Sequence, residues 1–291
     1  MIPITQAMID AYDEYTHLTL DRRGFMEKLT KLAGSGAAAA AIVPLLAANS
    51  ARAAIVAEDD ARVKGEEVSY PGSAGEMKGY LVRPADATGK LPGVIVIHEN
   101  RGLNPHIRDV TRRLSLEGFL ALAPDFLAPY GGTPTDEDKA RDMFSELDPA
   151  RTIADAVASV AFLKSNEGSN GKVGAVGFCW GGGIINMLAV NDPELDAAVA
   201  YYGAQPKDPA AIARIKAPLL LHYAGRDERI NAGIENYRKE LDAAGKEYQV
   251  FVYEGVQHAF NNDTSEARYN KEAADLAWGR TVAFLKEKLA S

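Results

Sequence analysis

The chain runs to 291 residues, 47% of them hydrophobic and 25% charged, with a formal net charge of -8 and a pI near 5.3. That is an ordinary globular balance, and an acidic chain without a basic stripe interleaved with aromatics is not built for nucleic acid. A single cysteine, Cys179, excludes an intramolecular disulfide, so the fold does not depend on oxidation.

Residues 1–57 read differently from the rest. Residues 21–28, Asp-Arg-Arg-Gly-Phe-Met-Glu-Lys, resemble a twin-arginine export signal. An alanine-rich apolar stretch over 32–48 follows, too short for a stable membrane span. Ala51-Arg52-Ala53 then offers an A-x-A cleavage site. The order of these parts predicts a leader recognised by the twin-arginine export machinery and an exported or periplasmic protein. The alternative is an amphipathic N-terminal helix of a folded, cytoplasmic domain.

From residue 58 to 291 one pattern continues, predicting a single domain. Residues 67–70 and 77–83 alternate weakly about Pro71-Gly72 and predict an antiparallel edge hairpin. Short runs apolar on both faces follow at 93–98, 119–123, 173–178, 197–201, 218–223 and 248–253, which suits buried parallel strands. Helical segments are expected at 107–117, 150–163, 182–190, 232–244 and 271–289. The expected fold class is α/β, a mostly parallel sheet with helices on both faces. A Gly/Pro-rich insertion over 128–138, followed by a short helix, is placed where a lid or pocket wall would sit, or is a plain surface loop.

The run Gly174-Ala-Val-Gly-Phe-Cys-Trp-Gly-Gly-Gly183 sets Cys179 between Gly177 and Gly181, after a strand and before a helix. That is the layout of a nucleophile elbow with sulfur in place of the serine hydroxyl. A sharp strand-to-helix turn strains the nucleophile's backbone, and side chains on the flanking residues would collide. The helix N-terminus favours a thiolate. A buried cysteine in a glycine turn is the plainer reading.

A nucleophile needs a base, and the base a third group to orient it. Of His17, His98, His106, His222 and His258, only the last two follow Cys179 in the chain. His222 lies inside an apolar strand, whereas His258 lies in the loop beyond the strand 248–253, on the same sheet edge as the elbow. Asp227 directly follows the strand 218–223 and is the best orienting carboxylate; Asp196 and Asp208 belong to other loops, and Asp242 to a helix. Asp227 also reads as a helix cap. Two backbone N–H donors would form an oxyanion hole: Trp180, after the nucleophile, and Asn100, from the loop after the strand 93–98.

With these pieces in order, the chain from about residue 60 resembles the dienelactone hydrolases (carboxymethylenebutenolidases), a cysteine-using branch of the α/β-hydrolase fold. The matching segments are His98-Glu-Asn-Arg-Gly-Leu-Asn104, Gly177-Phe-Cys-Trp-Gly-Gly182, Ala224-Gly-Arg-Asp227 and Gly255-Val-Gln-His-Ala-Phe260. The resemblance implies a Cys179–His258–Asp227 triad acting on an ester or lactone. It also implies a role for Glu99 in restraining and activating the thiol. This sequence departs from the family where arginines would grip a substrate carboxylate: Asn262 stands four residues after His258, and Glu137, with Arg141 nearby, in the insertion. Arg101 and Arg141 are the candidate replacements, and Tyr130, Phe144, Tyr201 and Tyr202, with Trp180, the candidate pocket walls.

A thiolate leaves more readily than an amine, so the expected substrate is a small-molecule ester or lactone rather than an amide. A thioesterase would use the same groups, and a non-catalytic thiol sensor or binding protein is the alternative from another class. No metal-ligand spacing or phosphate-binding lysine is visible, and no cofactor is expected.

Overall fold

In the computed structural model, which describes residues 3–17, 19–47, 54–73 and 75–290, the chain opens with three helices. They are α1 (Gln6–Thr16), α2 (Arg22–Ala33) and α3 (Gly36–Leu46). Gly34, at a left-handed φ of 82°, ends α2, and Ser35 caps α3 through the N–H of Ala38. The expected apolar stretch is therefore divided between two helices bent by 109°. Among the described residues no single helix is long and apolar enough to cross a membrane. The Ala51-Arg52-Ala53 site lies outside the described residues.

The sheet begins with the hairpin β1 (Val63–Pro71) and β2 (Glu76–Pro84), paired antiparallel. There follow β3 (Leu91–Ile97), α4 (Pro105–Leu116), β4 (Leu120–Asp125), α5 (Glu137–Ser145), α6 (Pro149–Ser165), β5 (Ser169–Phe178) and α7 (Trp180–Asn191). The remaining elements are β6 (Ala197–Tyr201), α8 (Pro209–Ile212), β7 (Leu219–Ala224), α9 (Glu228–Asn231), α10 (Ile234–Ala243), β8 (Tyr248–Tyr253) and α11 (Lys271–Lys288). The spatial order is β1-β2-β4-β3-β5-β6-β7-β8, antiparallel across β1-β2-β4 and parallel from β4 to β8.

Alternation along β3 shows why both faces are covered. Val94 and Val96 enter one core with α4 and α11, while Ile95 and Ile97 enter the other with α6 and α7. A third, smaller core, centred on Met8, Tyr12, Phe25, Leu29 and Ile42, joins α1, α2 and α3. The helix expected over 232–244 is α10, which starts at Ile234, and the short α9 precedes it. They part at Gly233, where a Cβ would sit 2.4 Å from Gln205 Oε1.

Strand order reverses around β3: β4 lies on one side of it and β5 on the other. The crevice at the C-terminal ends of β3 and β5 is such a switch point, where α/β sheets place their ligands. The loop 98–104 and the turn at Cys179 both emerge there.

Candidate active site

Cys179 stands between β5 and α7 with φ 55° and ψ -114°, a backbone state that L side chains rarely adopt. Its N–H donates to the Tyr201 carbonyl at 3.0 Å, and its own carbonyl accepts from Gly183 N at 3.1 Å. The glycines are steric necessities. A Cβ on Gly177 would lie 2.4 Å from the Gly181 oxygen, and one on Gly181 would lie 2.4 Å from the Ile97 oxygen and 2.5 Å from that of His98. Close packing of the turn on the end of β3 thus brings the sulfur beside the 98–104 loop, at the N-terminus of the twelve-residue helix α7.

His258 and Asp227 meet as expected. His258 Nδ1 donates to Asp227 Oδ2 at 2.5 Å, with both side chains buried. Asp227 also caps α9, its Oδ1 accepting from Ile230 N at 3.2 Å, so the capping and orienting readings are both fulfilled by one carboxylate. The bond from Arg226 N to Val256 O, 3.0 Å, holds the two loops together. Ala259, next to the imidazole, has a φ of 63°. His258 Nε2 is buried and has no hydrogen-bond partner among the described residues.

Electrostatics follow from this packing. Burial works against a charged His258, yet the carboxylate of Asp227, with the Cys179 sulfur and Asp13, holds its pKa well above the ordinary imidazole value. Burial likewise raises the Cys179 thiol, but the charges of His258 and His17 outweigh it and bring it down to about 6. His222, by contrast, is a core residue. It is bonded to Tyr253 Oη at 2.9 Å and Thr281 Oγ1 at 3.1 Å, and burial lowers its pKa to about 3.

Glu99 borders a small cavity with Cys179 and His258. Its Oε2 accepts from Asn262 Nδ2 at 2.9 Å, so Asn262, where the resemblance noted in the sequence would put an arginine, is turned to Glu99. The Asn100 side chain is committed to the Thr16 carbonyl at 2.8 Å, leaving its backbone N–H for any oxyanion role. Trp180 stacks on His98 at 5.5 Å and begins α7.

A cleft of about 400 Å³ opens over Cys179, walled by Phe144, Trp180, Ile184, Met187 and Tyr202. Phe144, Trp180 and Tyr202 therefore stand where the sequence placed them, and Tyr202 packs on the His258 ring at 4.9 Å. Arg141 reaches the rim, but its guanidinium lies over the Tyr15 ring at 4.3 Å and pairs with Asp142 at 2.6 Å. Arg101 lies beside the smaller cavity, with Nε 3.8 Å from Glu137 Oε2. Tyr130 does not line the cleft. It ends a 3-10 turn before Gly131 and Gly132, both at positive φ, and is 49% exposed. Tyr201 is core, bonded to Thr281 Oγ1 at 2.7 Å.

Asp13, Thr16 and His17, from the end of α1, enter the site without having been expected there. His17, just past α1, places Nε2 3.4 Å from Cys179 Sγ and packs edge-on to His258, with ring centroids 4.7 Å apart. Its Nδ1 faces Asp13, at 2.8 Å from the carbonyl and 3.3 Å from Oδ1. The only signal in the sequence was the Asp13/His17 spacing of four on one helical face.

Sheet order and the strained turn after β5 define the α/β-hydrolase fold. A solved structure titled "Crystal Structure of Putative Dienelactone Hydrolase from Klebsiella pneumoniae" is similar with a TM-score of 0.71 and 32% identity, over 77% of this chain and 99% of that one. The "Putative carboxymethylenebutenolidase" of Escherichia coli K12 is 36% identical over 243 residues, 79% of this chain and 89% of its own length. "Protein usf" of Aquifex pyrophilus is 37% identical over 234 residues, 77% and 99% of the two chains. The profile of the Dienelactone hydrolase family matches residues 77–289. The chain belongs to that family and is a hydrolase of the carboxylic ester and lactone class.

Proposed function

We propose that this protein cleaves an activated ester or lactone of mainly apolar shape, with Cys179 as nucleophile, His258 as base and Asp227 as its orienting acid. The observation that carries this reading is the strained cysteine at a helix N-terminus beside a buried, carboxylate-backed imidazole. The thiolate attacks the carbonyl carbon, and the N–H groups of Trp180 and Asn100 receive the developing oxyanion. Collapse of this intermediate expels the alcohol, which takes a proton from the His258 imidazolium. Water, deprotonated by His258, then attacks the thioester and returns the thiolate. Glu99 opposes thiolate charge in the resting site by like-charge repulsion. Apolar cleft walls, together with Arg101 and Arg141 engaged by Glu137, Asp142 and Tyr15, favour a neutral substrate over a carboxylate-bearing one.

A panel of neutral and carboxylate-bearing esters, lactones, acyl thioesters and a simple amide tests this. Neutral esters or lactones are expected to lead, the amide to be poor, and Cys179→Ala to lower kcat/KM by about 10⁴-fold or more. Equal turnover by wild type and Cys179→Ala, or an amide rate near that of the esters, would overturn the reading.

We also propose that the N-terminal segment directs export by the twin-arginine route. Arg22 and Arg23 are 76% and 87% exposed, and their pairs with Asp138 and Glu27 are surface ion pairs that a receptor carboxylate can replace. Cell fractionation of an Arg22→Lys, Arg23→Lys double variant checks it. Export is expected to fail, and unchanged distribution of wild type and variant would contradict the proposal.

A further inference from the structure

Two imidazoles and one sulfur converge where the proposed hydrolysis needs only one of each. His17 Nδ1 faces two acceptors, the carbonyl and carboxylate of Asp13, so the neutral ring carries its proton there and turns the Nε2 lone pair to Cys179 Sγ. His258 repeats the arrangement. Its Nδ1 proton goes to Asp227, and its buried Nε2 lies without a partner among the described residues. The three donor atoms lie within 4.8 Å of one another.

Bond lengths of about 2.3 Å to sulfur and 2.0–2.1 Å to nitrogen put tetrahedral zinc ligands roughly 3.5 Å apart. The Cys179–His17 separation of 3.4 Å already matches, and the remaining gaps close with a shift of about an ångström. A carboxylate behind each imidazole is the arrangement that fixes metal-binding histidines.

We propose that Cys179, His17 and His258 form a three-ligand site for a borderline-soft divalent cation of the zinc and cobalt class, with a fourth position open to the cleft. On binding, the imidazolium protons facing the Cys179 thiolate leave to solvent, so that both Nε2 lone pairs are free; one sulfur–metal bond and two nitrogen–metal bonds form, and no electrons are exchanged. Occupancy engages the sulfur lone pair and His258 Nε2, which silences the nucleophile and pins α1 over it. The site spans the N-terminal segment and the hydrolase domain, so it exists only while the two are joined.

Titration of the chelator-treated full-length protein with Co²⁺ tests this through the thiolate-to-cobalt absorption band. One equivalent is expected to bind and to be displaced by Zn²⁺. Cys179→Ser is expected to lose the band, His17→Ala to weaken binding at least tenfold, and Asp13→Asn to weaken it by about 10–100-fold. Circular dichroism checks that each variant folds, and slowing of Cys179 alkylation by Zn²⁺ in wild type but not in His17→Ala gives a second readout. Absence of the band, or equal affinity in wild type and His17→Ala, would overturn the site. The readout is independent of turnover: a cobalt band in a chain that hydrolyses no ester would sink the hydrolytic proposal and leave this one standing.

Discussion

Cys179 carries three constraints at once: a left-handed backbone, a helix N-terminus beneath it and two imidazoles beside it. Its thiolate should persist well below the ordinary thiol range. In chelator-treated protein, the rate of alkylation by iodoacetamide should rise with pH through a midpoint near 6 and level off above it, because the thiolate is the reactive form. His258→Gln should move the midpoint upward, since the largest favourable charge is removed. A midpoint at the ordinary thiol value in the wild type would contradict the assignment. At this scale Cys179, Asp227 and His258 were legible because each follows a strand end, where local sequence and chain order coincide. His17 was not: it lies 162 residues from its sulfur, and no local pattern reports a helix docking at that distance. Tyr130 was misplaced because its exposure depends on the two positive-φ glycines that follow it.

The elbow shows how an element makes a site. Gly177 and Gly181 leave no space for a side chain against the backbone oxygens of Gly181, Ile97 and His98. Gly181→Ala should therefore cost about 1–3 kcal/mol by overpacking and lower activity further by displacing the sulfur. Urea unfolding measures the first part, and a midpoint unchanged from wild type would contradict the packing argument. The strands were readable from their apolar runs, since burial on both faces leaves an unmistakable composition. Helix boundaries were less so. The break between α9 and α10 depends on Gly233 lying against Gln205, a contact between distant segments.

Across the whole molecule, the N-terminal helices dock beside the cleft, with Thr16 and His17 at its wall, through contacts that composition does not announce. Tyr12 lies under Arg268 and Tyr15 under Arg141, Arg22 pairs with Asp138, and Thr16 accepts from Asn100. Residues 1–57 read in sequence as a leader, and the described part of that segment packs on the catalytic face. Phe25 is buried and stacked on Tyr15 at 4.7 Å. Phe25→Ala should loosen the helical cap by about 3–5 kcal/mol, an opening local to that small core. In chelator-treated protein a bulky maleimide should then label Cys179 several-fold faster, while the main thermal transition stays close to that of wild type. Unchanged labelling would mean that the cap does not guard the sulfur.

If acyl transfer passes through Cys179, rapid quenching of full-length, chelator-treated protein during turnover of a slow ester will trap the acyl group there. Intact mass and peptide mapping should show one acyl group on the peptide holding Cys179, released by hydroxylamine as a thioester is. Turnover without any adduct on Cys179, or with the acyl group on another residue, would contradict the account.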